Sequence, residues 1–186
     1  TAIVEKIIRA SEIKPDDFII EIGPGLGILT EKIIRKVKKI AAIEIDSSLV
    51  KELKNKFKNC QNLEIINADI LKINLPELLE KNNIQSRGYK VVANLPYYIT
   101  SPIIRLFLEA KYQPQEMILM IQKEVAQRIT ALPGEMSILS VSVQYYAGVQ
   151  KLFDVEKECF SPVPEVDSAV IKISPHSYVE DRSKTK

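Results

Sequence analysis

One histidine, His176, and two cysteines, Cys60 and Cys159, are all that 186 residues offer of the side chains that most often bind metals or relay protons. A His-rich metal site or a Ser-His-Asp triad has almost no material to be built from, so no metal site is expected. His176 lies in polar sequence near the end and reads as an exposed tail residue. The two cysteines lack both a C-x-x-C spacing and the dense pattern of a secreted disulfide framework, and they read as free thiols in a reducing compartment. No apolar run approaches the roughly 20 residues that a membrane span needs. The opening TAIVEKIIRASEIK also lacks the regions of a signal peptide. A soluble, cytoplasmic protein with no membrane partner is the expectation. An excess of one charge is missing too: 26 Lys and Arg against 24 Asp and Glu leave +2 at pH 7, which neither demands nor excludes a nucleic-acid partner. Lysines and arginines crowd the segments 32–39 and 51–58, where solvated helix faces balanced by Glu31 and Glu52 are the plainer reading.

What the chain does have is 186 residues, 46% of them hydrophobic, long enough to bury one sizeable core and short for two. Apolar residues at Ile3, Val4, Ile7 and Ile8 follow helical spacing, and FIIEI (Phe18 to Ile22) is a short run of buried-strand type. Then come LGILTEKIIRKV as a helix, KIAAIEI as a strand, SSLVKELKNKF as a helix capped by Asp46 with Ser47, and NLEIINA as a strand. After a looser region, LPELLEKNNIQSRG, the alternation resumes with YKVVA as a strand, SPIIRLFLEA as a helix, EMILMI as a strand and KEVAQRIT as a helix. SILSVSVQYYA suits either element and is read as a helix. KLFDVEK and SAVIKIS close the chain as strands flanking the loop FSPVPEVD. This alternation predicts an α/β fold, a mostly parallel sheet with helices on both faces. The two late strands have no helix between them and should pair antiparallel at one edge.

Three motifs follow the first three strands. EIGPGLG, Glu21 to Gly27, ends a strand and opens a helix; glycine permits a tight turn and close approach of a ligand to the backbone. Gly23, Gly25 and Gly27 give G-x-G-x-G, whereas the dinucleotide fingerprint needs glycine where Ile28 stands, so a pyrophosphate binder is disfavoured. In IEID, Glu44 can accept hydrogen bonds from both hydroxyls of a ribose. In NADIL, Asp69 could accept one from an exocyclic amine such as that of adenine; a turn-forming Asp is the plain alternative. Together the three point to an adenosine-bearing cofactor.

Behind the fourth strand stands NLPYYIT. Asn94 offers a side-chain carbonyl, and Pro96 fixes the backbone so that the main-chain carbonyl before it can point the same way. Two acceptors can then converge on an amino group, while Tyr97 supplies a face on which a base can stack. The amino nitrogen of adenine is a poor nucleophile because its lone pair is conjugated into the ring. Acceptors on its two hydrogens would pull it toward tetrahedral geometry and free the lone pair for attack on an electrophilic methyl, with no general base needed.

EIGPGLG, IEID, NADIL, NLPYYITSPI, IQKEVAQRI and FSPVPEVDSAV together resemble the ribosomal RNA adenine N6-dimethyltransferases of the KsgA type, over Ile3 to Ile173. The resemblance implies a class I, Rossmann-like methyltransferase fold using S-adenosylmethionine, with a seven-stranded, mostly parallel sheet that has one antiparallel strand. It implies cofactor contacts from Glu21, Gly23, Gly25, Glu44, Ile45, Asp69, Ile70 and Asn94. Asn94, Leu95 and Pro96 would hold the target amine, and Tyr97 and Phe160 would sandwich the target adenine; read alone, Phe160 could equally anchor its loop in the core. The implied substrate is small-subunit rRNA in a pre-ribosomal particle, methylated by a monomer. Residues 1–175 would form the methyltransferase domain and 176–186 a polar tail. The family's N-terminal lid segment and C-terminal helical domain find no counterpart here, so an excised catalytic domain, weakened in cofactor retention and RNA binding, is expected. A large-subunit rRNA methylase of the antibiotic-resistance type and a non-catalytic nucleic-acid-binding factor of the same superfamily are the alternatives.

Overall fold

The computed structural model describes residues 2–160 and 162–176. Apart from His176, the tail expected over 176–186 lies outside the described residues. Seven strands form one sheet: β1 (Phe18–Ile22), β2 (Lys39–Glu44), β3 (Leu63–Asn67), β4 (Tyr89–Asn94), β5 (Glu116–Gln122), β6 (Ala147–Val155) and β7 (Ser168–Pro175). Their order is β3-β2-β1-β4-β5-β7-β6. Strands β1 to β5 pair in parallel, and β7 runs antiparallel to both β5 and β6. The single reversed strand and the antiparallel pair at one edge agree with the sequence pattern.

The helices are α1 (Ala2–Ala10), α2 (Ile28–Ile33), α3 (Ser47–Lys56), α4 (Leu75–Lys81), α5 (Thr100–Leu108), α6 (Lys123–Ile129) and α7 (Ile138–Tyr146). Because side chains alternate along a strand, the central strands feed two cores. Ile19, Ile40, Val92 and Ile118 face α1, α2 and α3 through Ile7, Ile33 and Leu53. Ile20, Val91 and Leu119 face the other helices through Leu79, Ile103, Phe107, Ile129 and Val143. All five positions of β1 are buried, as a central strand covered on both sides requires.

Three local readings need correction. The looser region contains α4, begun by Asn74, whose side chain accepts from the Glu77 N–H, with a proline in the first turn where no N–H is needed. Helix α2 stops at Ile33, short of the predicted Val37, because the chain tightens into a turn in which the Lys36 N–H meets the Ile33 carbonyl. Strand β6 starts at Ala147, immediately after α7, and its register shifts between Lys151 and Phe153. The ambiguous SILSVSVQYYA is helical through Tyr146, started by a reciprocal capping box between Ser137 and Ser140.

The parallel topology sets the C-terminal ends of β3, β2, β1, β4 and β5 side by side. In open α/β sheets this edge is where ligands bind, and all the motifs singled out before Phe160 emerge there.

Candidate active site

At the end of β1 the chain turns through Gly23, Gly25 and Gly27, with φ of 63°, 56° and 73°. These left-handed values are open to glycine and costly for other residues. Gly27 meets a second constraint: a Cβ there would stand 2.7 Å from the Phe57 ring and 2.8 Å from Leu53, so its bareness lets α3 close over the turn. Gly25 has open space beside it, and a Cβ on Gly23 would lie 3.9 Å from the Asn94 main-chain oxygen. The glycine turn and the end of β4 are thus near neighbours.

Glu44, buried at the end of β2, receives the Gly25 N–H at 3.2 Å on one oxygen and the Asp46 N–H at 3.0 Å on the other. Backbone donors hold this carboxylate and leave further lone pairs for a ligand. Asp46 then caps α3, accepting from the Ser48 and Leu49 N–H groups, and its bonds from Ser48 above all hold its carboxyl below its ordinary range. Asn67, which the sequence reading does not single out, ties the end of β3 to β2 by donating to the Glu44 and Ile45 carbonyls. Asp69 caps a 3-10 turn over Ile70–Lys72 through the Leu71 N–H at 3.0 Å and pairs with Lys72 at 3.5 Å, so the turn-forming alternative is realised. Its carboxylate keeps lone pairs that these contacts do not use.

Asn94 is exposed at the end of β4, and the next N–H, from Leu95, is anchored to the Met120 carbonyl at 3.0 Å. The Leu95 side chain is buried, so its share in any site must come from its main chain. Pro96 takes φ −57° and ψ 141°, and its carbonyl accepts from Ile99 as the chain enters a 3-10 turn. The side chain of Tyr97 lies outside the described part of the structure.

A cavity of about 360 Å³ opens among these elements, and Glu21, Gly23, Gly25, Asn94 and Phe160 all line it. Pro24, Leu26, Ile28 and Leu29 continue the lining from the glycine turn into α2, and the sequence reading does not anticipate the part made by Ile3, Val4 and Ile7 of α1 with Met120 and Cys159. The helical spacing in α1 announces an apolar face without saying what it covers. Glu44 reaches the cavity rim through Gly25. Ile45, 69% exposed, and Asp69 lie outside the lining at the ends of the next two strands, while Ile70 is a core side chain.

Glu21 is the least satisfied group in the site. It is 1% exposed, and among the described residues neither carboxylate oxygen makes a hydrogen bond of good geometry; the Thr30 hydroxyl and N–H are the donors that face it, and they offset only part of the cost of its burial. Burial pushes its carboxyl up to about 7. A poorly satisfied buried acceptor beside a bare glycine turn fits a polar ligand that brings its own donors. No group of three or more His, Cys, Asp or Glu among the described residues could hold a metal ion. Nor is any described helix long and apolar enough to cross a membrane.

The sheet order, the glycine turn after β1 and the acidic end of β2 define a class I, S-adenosylmethionine-dependent methyltransferase fold. The profile described as ribosomal RNA adenine dimethylase matches residues 1–184, and the chain belongs to that family. It is 45% identical over 171 residues to ribosomal RNA small subunit methyltransferase A of Dehalococcoides mccartyi, a match covering 92% of this chain and 57% of that protein. The chain thus spans a little over half the length of that relative. Among solved structures it resembles a dimethyladenosine transferase from Plasmodium falciparum (TM-score 0.81, 33% identity, 94% of this chain and 62% of that one). It also resembles the 23S rRNA methyltransferase ErmE (TM-score 0.82, 30% identity, 95% of this chain and 68% of that one).

Proposed function

We propose that the chain carries the catalytic centre of a small-subunit rRNA adenine N6-dimethyltransferase that draws its methyl groups from S-adenosylmethionine. The observation that carries this reading is the meeting of Asn94 with the glycine turn and Phe160 on one cavity. A cofactor seated at the turn and a base offered to Asn94 would then be neighbours.

S-adenosylmethionine, when bound, supplies an electrophilic methyl on a sulfonium. Glu44, held by two backbone N–H groups, is placed to accept from ribose hydroxyls. Asp69 at the end of β3 is suited to an adenine amine, flanked by the exposed Ile45. Glu21 offers buried acceptors to a donor on the remainder of the cofactor. On the substrate side, the Asn94 side-chain oxygen and the Leu95 carbonyl would accept from the two hydrogens of the target amine and release its lone pair. Phe160, with Tyr97, would hold the flipped base by its faces; extrusion costs a few kcal/mol, which stacking repays. The proton lost from nitrogen needs no dedicated base, which suits a site whose lining has no histidine.

The small-subunit reading is supported by curated relatives such as the Dehalococcoides small-subunit methyltransferase, at 45% identity, while the solved structures are nearly level, at 33% to the dimethyladenosine transferase and 30% to ErmE. Action as a monomer on an immature small-subunit particle in the cytoplasm completes the reading. Labelled S-adenosylmethionine offered with immature small subunits, and separately with naked large-subunit rRNA, tests it. Methyl transfer to the first substrate is the expected result; transfer to the second alone would favour the ErmE-like reading, and transfer to neither would overturn both.

A further inference from the structure

Lys90, the second residue of β4, is 2% exposed at the opposite end of the sheet from the candidate site. Its ammonium lies 3.1 Å from Asp17 and 3.1 Å from Glu116, and it donates to the main-chain carbonyls of Ser11 (3.1 Å) and Glu12 (2.9 Å). Those carbonyls belong to the turn that ends α1. Ser11 is itself fully buried and sends both its N–H and its hydroxyl to the Ile7 carbonyl, while Glu12 takes a positive φ of 42° in place of the usual glycine. Lys172 closes the cluster, 2.7 Å from Glu116 and 3.6 Å from Glu12. A buried cation thus caps the C-terminus of α1, where the helix dipole favours positive charge.

We infer that Lys90 is a positioning residue, holding α1 in place as a wall of the cofactor cavity. The connection is short: Lys90 grips the Ser11 carbonyl, Ser11 grips Ile7, and Ile7 with Ile3 and Val4 lines the cavity. One strand therefore anchors α1 at its start and presents Asn94 at its end. The inference rests on the cofactor reading for the identity of the ligand, while the tether itself does not depend on it.

The test uses Lys90→Met together with Lys90→Met/Asp17→Asn. The double variant removes the charge stranded by the first change, and Lys172 still neutralises Glu116, so it keeps the proposal testable if the single variant does not fold. Phe107→Leu, which loosens the opposite core, serves as a control matched in thermal stability. Amide hydrogen exchange of residues 2–12 and calorimetric affinity for S-adenosylhomocysteine are read for each. The expected result is faster exchange in α1 and an affinity about tenfold weaker, as when a binding-competent wall is in place only about a tenth of the time. The control should keep both. Exchange and affinity indistinguishable from the control would overturn the inference. If the unaltered protein fails to bind S-adenosylhomocysteine, the cofactor reading falls, and the exchange of α1 alone decides whether Lys90 tethers it.

Discussion

At Gly27 a residue choice is forced twice, by a φ of 73° and by Phe57 and Leu53 standing where a Cβ would go. Gly27→Ala should therefore cost about 2 kcal/mol, combining left-handed strain with overpacking, as read by urea denaturation. Glu21 poses a different problem, because its carboxyl titrates at about 7 in the fold against an ordinary 4.5. Between those values the folded state holds a proton that the unfolded chain has released, so the ligand-free protein loses stability as pH rises from 4.5 to 7. Glu21→Gln should remove that slope and raise stability above pH 7 by roughly 3 kcal/mol, visible in melting temperatures across pH. The sequence makes Glu21 the head of a glycine motif, yet only the fold reveals that it is fully buried with, among the described residues, no hydrogen bond of good geometry, faced by Thr30 alone. Asn94 is easier to read from sequence as a group outside the core, since a polar amide closes an apolar strand just before Leu-Pro, and the structure finds it exposed on the cavity lining.

At the scale of the element, strands of continuous apolar sequence such as FIIEI announce themselves, because a strand covered on both faces leaves little room for polar residues. Helix α4 hides behind Pro76 and two asparagines that look like loop sequence. Asn74 and that proline are in fact its start signal, and Asn74→Ala should cost about 1 kcal/mol in denaturant titration through loss of the cap. Helix α7 is ambiguous by composition, and the Ser137–Ser140 capping box shows what tips it. His176, read as a tail residue, is exposed but not loose: its N–H donates to the Tyr146 carbonyl, and its own carbonyl accepts from Arg87 at 2.8 Å. Such long-range pairing leaves no trace in local sequence.

For the whole molecule, the alternation of elements dictates the layers, and the antiparallel end of the sheet follows from two strands without a helix between them. The assembly of the cavity is not legible in the same way, since α1 and the Cys159–Phe160 segment arrive at it from opposite ends of the chain. Because ligand binding to the folded state stabilises the whole domain, S-adenosylmethionine at a hundred times its Kd should add about 2.7 kcal/mol to stability. Glu44→Ala should abolish most of that increment and NAD should produce none, as differential scanning calorimetry would show.

The most direct measurement is nucleoside mass spectrometry of small-subunit rRNA after incubation with S-adenosylmethionine and either the unaltered chain or Asn94→Ala. The unaltered chain should yield N6,N6-dimethyladenosine, and Asn94→Ala, its fold intact by circular dichroism, should lower the rate by about a hundredfold or more, the scale of losing one preorganised polar contact to the reacting group. Undiminished dimethylation by Asn94→Ala would contradict the assignment of the site, and absence of any methylated adenosine with the unaltered chain would contradict the function.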